Sequence, residues 1–320
     1  MSFFTPSDPF EPPSLFQVFF SSPPKFVLRC LYRVILFIRS TPKEPNNRIR
    51  VVCISDTHLK KPHHIPDGDV LIHAGDLTNA GTPSEIQGQI DWLNSLPHTH
   101  KVAIAGNHDT YLDPRARSTL DAADRETSGL RWGSVRYLQH SSTLLEFAHH
   151  RKRKLRIYGA PQLPACGGPE HAFQYSRGTD AWSETVPLDT DVLITHTPPK
   201  HHADLPVGLG CEFLLQEVWH VQPILHVFGH VHAGRGREVA HWDEAQRVYE
   251  RGCTRRDGFL TSSLNVFLWF DVVMMACHGL SSLVWKTVWG GEERASWLVN
   301  ASLTYSNTGR LDNVPQVVDI

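Results

Sequence analysis

No two of the six cysteines in this 320-residue chain (Cys30, Cys53, Cys166, Cys211, Cys253 and Cys277) stand at CxxC spacing. That excludes a zinc ribbon and gives no disulfide framework; it points to a reducing, cytoplasmic compartment. Net charge is scarce too, at -2. With no global basic field, long nucleic acid is not an expected partner. Also missing are a P-loop, a GxGxxG after a strand and a GxSxG elbow. Their absence argues against a Walker-type nucleotide cradle, a dinucleotide fold and an α/β-hydrolase nucleophile. No internal repeat is visible, which excludes solenoids and propellers.

Histidine, by contrast, is abundant at 20 residues, and apolar residues make up 41% of the chain. Size and composition allow one sizeable soluble core with additions. Residues 1 to about 24 are rich in Pro, Ser and Phe and read as a poorly ordered tail. The segment 25–39 reads as a basic amphipathic helix. Lys25, Arg29 and Arg33 recur at i+4 on one face, with Val27, Leu31, Val34 and Ile38 opposite. It is too short to span a bilayer and has no small-residue cleavage site, so it lies on a membrane, docks on its own domain or is an unstructured leader.

From Ile49 onward, short apolar runs alternate with clusters of Asp, His and Asn. Arg50–Ser55 precedes Asp56-Thr-His58, Val70–Ala74 precedes Gly75-Asp76, and Val102–Ala105 precedes Gly106-Asn-His-Asp109. Leu155–Tyr158 is a further strand; Val192–Thr195 precedes His196, and Ile224–Phe228 precedes Gly229-His-Val-His232. Runs apolar throughout read as strands buried on both faces. Between the second and third, Thr82 caps a helix with Pro83 at N1, Glu85 in a capping box, and Ile86, Ile90, Leu93 and Leu96 as its apolar stripe. This is a right-handed parallel crossover. In an open parallel sheet the strand ends line one edge, so Asp56, His58, Asp76, Asn107, His108, His196, His230 and His232 should meet there. Carboxylate, imidazole and amide oxygen without thiolate suit borderline-to-hard divalent ions.

Residues 237–258 look charged and irregular, and 259–289 strongly apolar, broken by Asp271, Gly279 and Lys286. A transmembrane span is disfavoured because a carboxylate at mid-bilayer is costly. A helical insert that covers the domain edge or dips into a membrane surface fits better. From Leu298 the chain reads as paired strands turning at Asn307-Thr-Gly309. His73 and His226 lie inside strands and read as core or as support behind the ligands, His201 and His202 as solvated surface rather than pocket rim, Cys211 as structural, and Arg151–Lys154 as a solvated hairpin tip.

The ordered set Asp56-Thr-His58, Gly75-Asp76, Gly106-Asn-His-Asp109, His196 and Gly229-His-Val-His232 resembles the calcineurin-like metallophosphoesterase superfamily. Gly75-Asp-Leu-Thr-Asn-Ala-Gly81, Thr195-His-Thr-Pro-Pro199, Gly210-Cys-Glu212 and His226-Val-Phe-Gly-His230 are similar to its metallophosphoesterase-domain-containing (239AB-type) group. The resemblance implies a four-layer α/β/β/α sandwich over 49–320, interrupted by a mostly apolar helical insert at 237–294 and preceded by an extension at 1–48. It implies two divalent ions. Asp56, His58 and His232 would hold the first, Asn107, His196 and His230 the second, and Asp76 would bridge. His108 would protonate the leaving oxygen, with Asp109 orienting it. Mn, Fe, Zn and Ni all accept such ligands, and Mn is the first expectation.

Where the Ser/Thr protein phosphatases of the superfamily carry Asp and Arg, this chain has Asn79 and Ala80. Asn79 is a candidate substrate contact. Arg235 either meets a phosphate or closes a turn. The implied function is hydrolysis of small phosphodiesters such as cyclic nucleotides by a metal-bridging hydroxide. Alternatives are a nuclease or phosphomonoesterase on the same site, or a weakly catalytic scaffold on a membrane reached through 25–39 and 259–289.

Overall fold

The computed structural model describes residues 11–39, 42, 47–127, 129–148, 152–256, 258–289, 294–306 and 308–320, with the backbone alone for 286–289. In chain order its helices are α1 (Leu15–Ser21), α2 (Pro23–Ile38), α3 (Pro83–Ser95), α4 (Ala122–Arg125), α5 (Glu212–Val221), α6 (Glu244–Thr254), α7 (Phe259–Ser263) and α8 (Val266–Trp289). The strands are β1 (Arg50–Ile54), β2 (Val70–Ala74), β3 (His100–Ile104), β4 (Val135–Tyr137), β5 (Ser141–Phe147), β6 (Arg153–Ala160), β7 (Leu163–Pro164), β8 (Gln174–Tyr175), β9 (Val192–Thr195), β10 (Leu225–Phe228), β11 (Gly236–Ala240), β12 (Ser296–Asn300) and β13 (Gln316–Asp319). The chain divides into two units, Glu44–Glu238 with Trp297–Ile320, and Met1–Lys43 with Val239–Ser296.

The larger unit has the sandwich that the resemblance implies, with two sheets where the apolar runs by themselves suggested one open sheet. Its strands form a five-stranded sheet, β13-β1-β2-β3-β4, and a six-stranded sheet, β11-β12-β10-β9-β6-β5. Alternation along the strands explains the packing. On β1, Val51 and Cys53 face a core shared with Ile72, Ile104, Ile157, Ile194 and Val227, drawn from both sheets. Val52 and Ile54 point the other way, to Leu71 and to Trp92 and Leu93 of α3. The fold is an α/β sandwich. β1, β2 and β3 run parallel in one sheet, and β6, β9, β10 and β12 run parallel in the other. Each sheet therefore presents a set of carboxyl ends. The late strands do not pair with each other: β12 joins β10 and β13 joins β1. The Tyr305–Arg310 bridge closes the turn between them; Asn307 lies outside the described residues, as does Arg151 in the β5–β6 hairpin.

Thr82 caps α3 as expected, accepting from the Glu85 backbone N–H at 3.3 Å. The Glu85 carboxylate reaches further back than a capping box requires and takes the N–H groups of Ala80 and Gly81 (2.9 and 3.0 Å).

The smaller unit overturns three expectations. Residues 15–21 are helical, because Ser14 and Gln17 form a reciprocal capping box. Residues 244–254 are helical as well, capped by the Asp243 side chain. The face of α2 is reversed: Leu28, Tyr32 and Ile35 are buried with Val248, Cys253, Val272 and Met275, whereas Val27, Val34 and Ile38 are exposed. Lys25 goes inward because its ammonium reaches the Cys253 carbonyl at 2.8 Å. Tyr32 stacks on Tyr249 with ring centroids 3.9 Å apart. α8 runs through Gly279 without a break. A Cβ there would meet Ile35 Cδ1 at 2.5 Å, so this glycine is where α2 comes close.

Candidate metal centre

The side chains that the sequence singles out lie where the strands end. Asp56 and His58 follow β1, Asp76 follows β2, and Asn107 to Asp109 follow β3. From the second sheet, His196 follows β9, and His230 and His232 follow β10. Backbone bonds tie these ends together. Asp56 N–H donates to the Gly75 carbonyl (2.9 Å), His58 N–H to Asp76 (3.2 Å) and Gly229 N–H to His196 (3.0 Å). Asp56, His58, Asp76 and His230 all hold left-handed backbone, with φ between 47° and 65°. Such conformations cost on the order of 1–3 kcal/mol each and persist only where surrounding contacts impose them.

The donor atoms fall into two groups that share one carboxylate. Asp56, His58, Asp76 and His232 form one group, and Asp76, His196 and His230 the other, with donor atoms in each within 4.8 Å of one another. Asn107 joins the second group, its Oδ1 being 3.1 Å from His196 Nε2. Asp76 Oδ2 stands 3.3 Å from His196 Nε2 and 3.8 Å from His58 Nε2. His232 Nε2 is 3.3 Å from Asp56 Oδ1.

Three of these rings are aimed by the main chain. Nδ1 of His58 donates to the Thr78 carbonyl (3.1 Å), that of His196 to Ala74 (2.9 Å) and that of His232 to Ser306 (3.0 Å). A carbonyl can only accept, so Nδ1 carries the proton and the Nε2 lone pair faces the cluster. His58 Nε2 and His232 Nε2 meet at 3.4 Å. A cation between such atoms would suit both lone pairs, so the donor set fits a pair of divalent ions.

The electrostatics agree. Burial alone would raise the pKa of Asp56 and Asp76, yet facing His232 and His196 hold both carboxyls below the usual range. Burial would lower His196, but Asp76 and Asp56 outweigh it and push the imidazole up to about 9. An Nε2 proton and a divalent cation are alternative counter-charges for these buried carboxylates, and Nε2 offers its lone pair only to the second. His73 and His226 are driven down to about 3 by burial and stay neutral. They bond Thr57 Oγ1 (3.0 Å) and Thr195 Oγ1 (2.8 Å) behind the site.

His108 belongs to neither donor group. Its Nδ1 donates to the Asn79 carbonyl at 3.0 Å, and its ring lies 5.0 Å from that of His58. Asp109 does not orient it, contrary to expectation. The buried Asp109 carboxylate accepts from the N–H groups of Leu77, Thr78 and Gly106 and from the Thr78 hydroxyl, tying the β2 end to the β3 end. Burial, then Asp76, push it up to about 6. The Asn79 side chain donates to the His58 carbonyl at 3.3 Å, so this residue positions two histidines. The Arg235 guanidinium donates to the Val314 carbonyl at 2.8 Å, tying the segment after β10 to the one before β13. His202 is buried against Glu238 (2.7 Å) rather than solvated. Cys211 caps α5 and accepts from Tyr175 (3.0 Å).

His171 had no signal in the sequence. It follows no strand, and reaches the site because Ala172 N–H donates to the Asn107 carbonyl at 2.8 Å. Its ring lies 5.1 Å from that of His108.

Gly106 gives a direct test of how tightly the site is built. A Cβ there would overlap Asp76 Oδ1 and lie 2.7 Å from His196 Cε1. Gly106→Ala should leave the protein folded but weaken metal retention at least about tenfold, the usual cost of disturbing groups that orient ligands. Titration of the metal-free protein with Mn2+ reads this directly, and unchanged affinity would show that the site tolerates displacement.

The calcineurin-like phosphoesterase family matches residues 49–234, more than half of the chain. Probable rhamnogalacturonate lyase C of Emericella nidulans is 43% identical over 264 residues, which cover 81% of this chain and 23% of that protein. Metallophosphoesterase domain-containing protein 1 of Homo sapiens is 40% identical over 211 residues, covering 61% of this chain and 64% of the relative. A UPF0046 protein of Caenorhabditis elegans is 38% identical over 207 residues, covering 59% and 71%. The chain thus spans less than two thirds of the first two relatives. The matched region contains β1 to β10 and every strand-end cluster described above, and the chain belongs to the calcineurin-like phosphoesterase family.

Proposed function

We propose that the chain is a dinuclear-metal phosphodiesterase acting on small phosphodiesters such as cyclic nucleotides, with manganese as the preferred ion. The observation that carries this reading is the carboxylate of Asp76, shared by two donor groups whose imidazoles are aimed by backbone carbonyls. Asp56, His58 and His232 would hold the first ion and Asn107, His196 and His230 the second, with Asp76 offered to both. When bound, the two ions supply Lewis acidity toward the phosphoryl oxygens and make water a competent nucleophile near neutral pH.

The chain's own part is positioning and proton transfer. With Nδ1 tied to the Asn79 carbonyl, His108 presents Nε2 as the atom that gives up a proton to the departing oxygen. His171, beside it, borders the approach on that side.

The test is hydrolysis of bis-p-nitrophenyl phosphate, cyclic AMP and p-nitrophenyl phosphate by metal-stripped protein, with and without Mn2+. Turnover of the diesters should require added metal, be lost again in EDTA and exceed turnover of the monoester. No turnover with any divalent metal would sink the enzyme reading, and a preference for the monoester would replace diester with monoester chemistry.

A further inference from the structure

The smaller unit carries a surface that phosphoester chemistry leaves unused. α8 is turned inside out. Its carboxylate, Asp271, faces inward, buried and paired with Arg251 (2.8 Å) and Arg255 (2.5 Å). Leu268, Val272 and Met275 are buried on the same helix. The outward positions from Val266 to Trp285 are apolar, Ser281 excepted. Phe267 is 70% exposed, and Phe270, Val273 and Leu280 more than half. α2 adds a second outward apolar face, with Val34 and Ile38 exposed and Phe37 92% exposed.

We propose that this unit seats on an anionic lipid bilayer, with α8 lying in the interface rather than crossing it. Three observations select lipid over a protein partner. First, Val266–Trp285 is long and apolar enough to cross a membrane by length and composition, yet only 28% of it is buried. A helix in a protein core would be mostly buried. Second, an ordinary protein–protein interface is only about 56–65% apolar, whereas the exposed side of α8 is apolar nearly throughout. Third, Arg33 and Arg256 are exposed beside these residues, and no exposed side chain described on α1, α2, α7 or α8 is acidic. That pattern complements anionic headgroups.

The same contacts decide between lying on the bilayer and spanning it. To cross, α8 would have to leave α2 and α6 and carry Asp271 away from both arginines into hydrocarbon. Packed as it is, the helix offers lipid one face, the geometry of an interfacial helix sunk about 5–10 Å into the headgroup boundary.

The experiment is flotation of the full chain with vesicles of phosphatidylcholine alone and with phosphatidylserine added. The chain should float with the mixed vesicles and bind phosphatidylcholine alone more weakly. Phe270→Glu with Val273→Glu should cut partitioning at least about a hundredfold, because an apolar contact becomes a charge in the interface. Arg33→Glu with Arg256→Glu should remove most of the phosphatidylserine dependence, on the order of fivefold per arginine. Thermal melting keeps folding failure distinct, and Phe267→Ser with Phe270→Ser is the milder variant should the glutamates unfold the unit. A chain that stays down with every vesicle overturns the proposal, as do variants that float like wild type. So does self-association in sedimentation velocity, abolished by the same glutamates without any flotation, which would assign the face to a second copy.

Discussion

Asp76→Ala should abolish hydrolysis and empty the metal centre in one step. Asp76 is the carboxylate common to both donor groups. Its Oδ2 faces His196 and His58, while its Oδ1 accepts the His108 backbone N–H at 2.8 Å. Removing it takes away a ligand from each proposed ion and loosens the loop that carries the proposed acid. The expected fall in kcat/KM is at least about 10^4-fold, equivalent to more than about 5 kcal/mol of transition-state stabilisation. Metal content should fall from two ions per chain to one or none. The side chain's loss also deprives His196 of the neighbour that chiefly raises its pKa, so its NMR titration should move down from about 9. Two ions retained with activity within about tenfold of wild type would remove Asp76 from the bridging position.

His108→Ala should behave differently, and the difference is diagnostic. The ring is outside both donor groups, so two ions per chain should remain. A positioned general acid is worth about 10^2–10^4-fold, but only where the leaving oxygen needs a proton. The variant should therefore lose most activity on cyclic AMP or a methyl ester, which release poor leaving groups. It should lose far less on bis-p-nitrophenyl phosphate, whose phenolate departs without help. Rate ratios for the two substrates measure this. Equal losses on both, or loss of a metal ion, would mean that His108 acts through site geometry rather than as an acid. Asn79 supports the ring through a main-chain oxygen, so Asn79→Ala should leave the ratio between the two substrates nearly unchanged.

The candidate metal centre was legible because its residues share one structural cause, an apolar run ending in a polar side chain. That cause holds whether the runs lie in one sheet or two, which is why convergence could be foreseen and the sandwich could not be read from the runs themselves. Val51 and Val52 look alike in sequence; only their register against β2 and β13 sends one between the sheets and the other toward α3. Asp109 misled because adjacency to His108 suggested a pair, while the three N–H groups that claim its carboxylate come from Leu77, Thr78 and Gly106. α2 misled for a related reason. Its charges marked a polar face by composition, but the Cys253 carbonyl gave Lys25 an inward partner and Tyr249 gave Tyr32 a stacking surface. His171 was beyond reach, since a loop tied through one backbone bond leaves no periodic trace.

The neighbouring placement of β11 and β12 in the six-stranded sheet has a thermodynamic corollary. The two strands are neighbours in the sheet, so everything from residue 241 to residue 295 is, for the sandwich, a single connection between adjacent strands. The entropy of closing a connection grows only with the logarithm of its length, about 0.6 kcal/mol per doubling. The sandwich is therefore nearly indifferent to how long that connection is. A helical module can vary in length at this point at little entropic cost to the strands whose ends form the candidate metal centre.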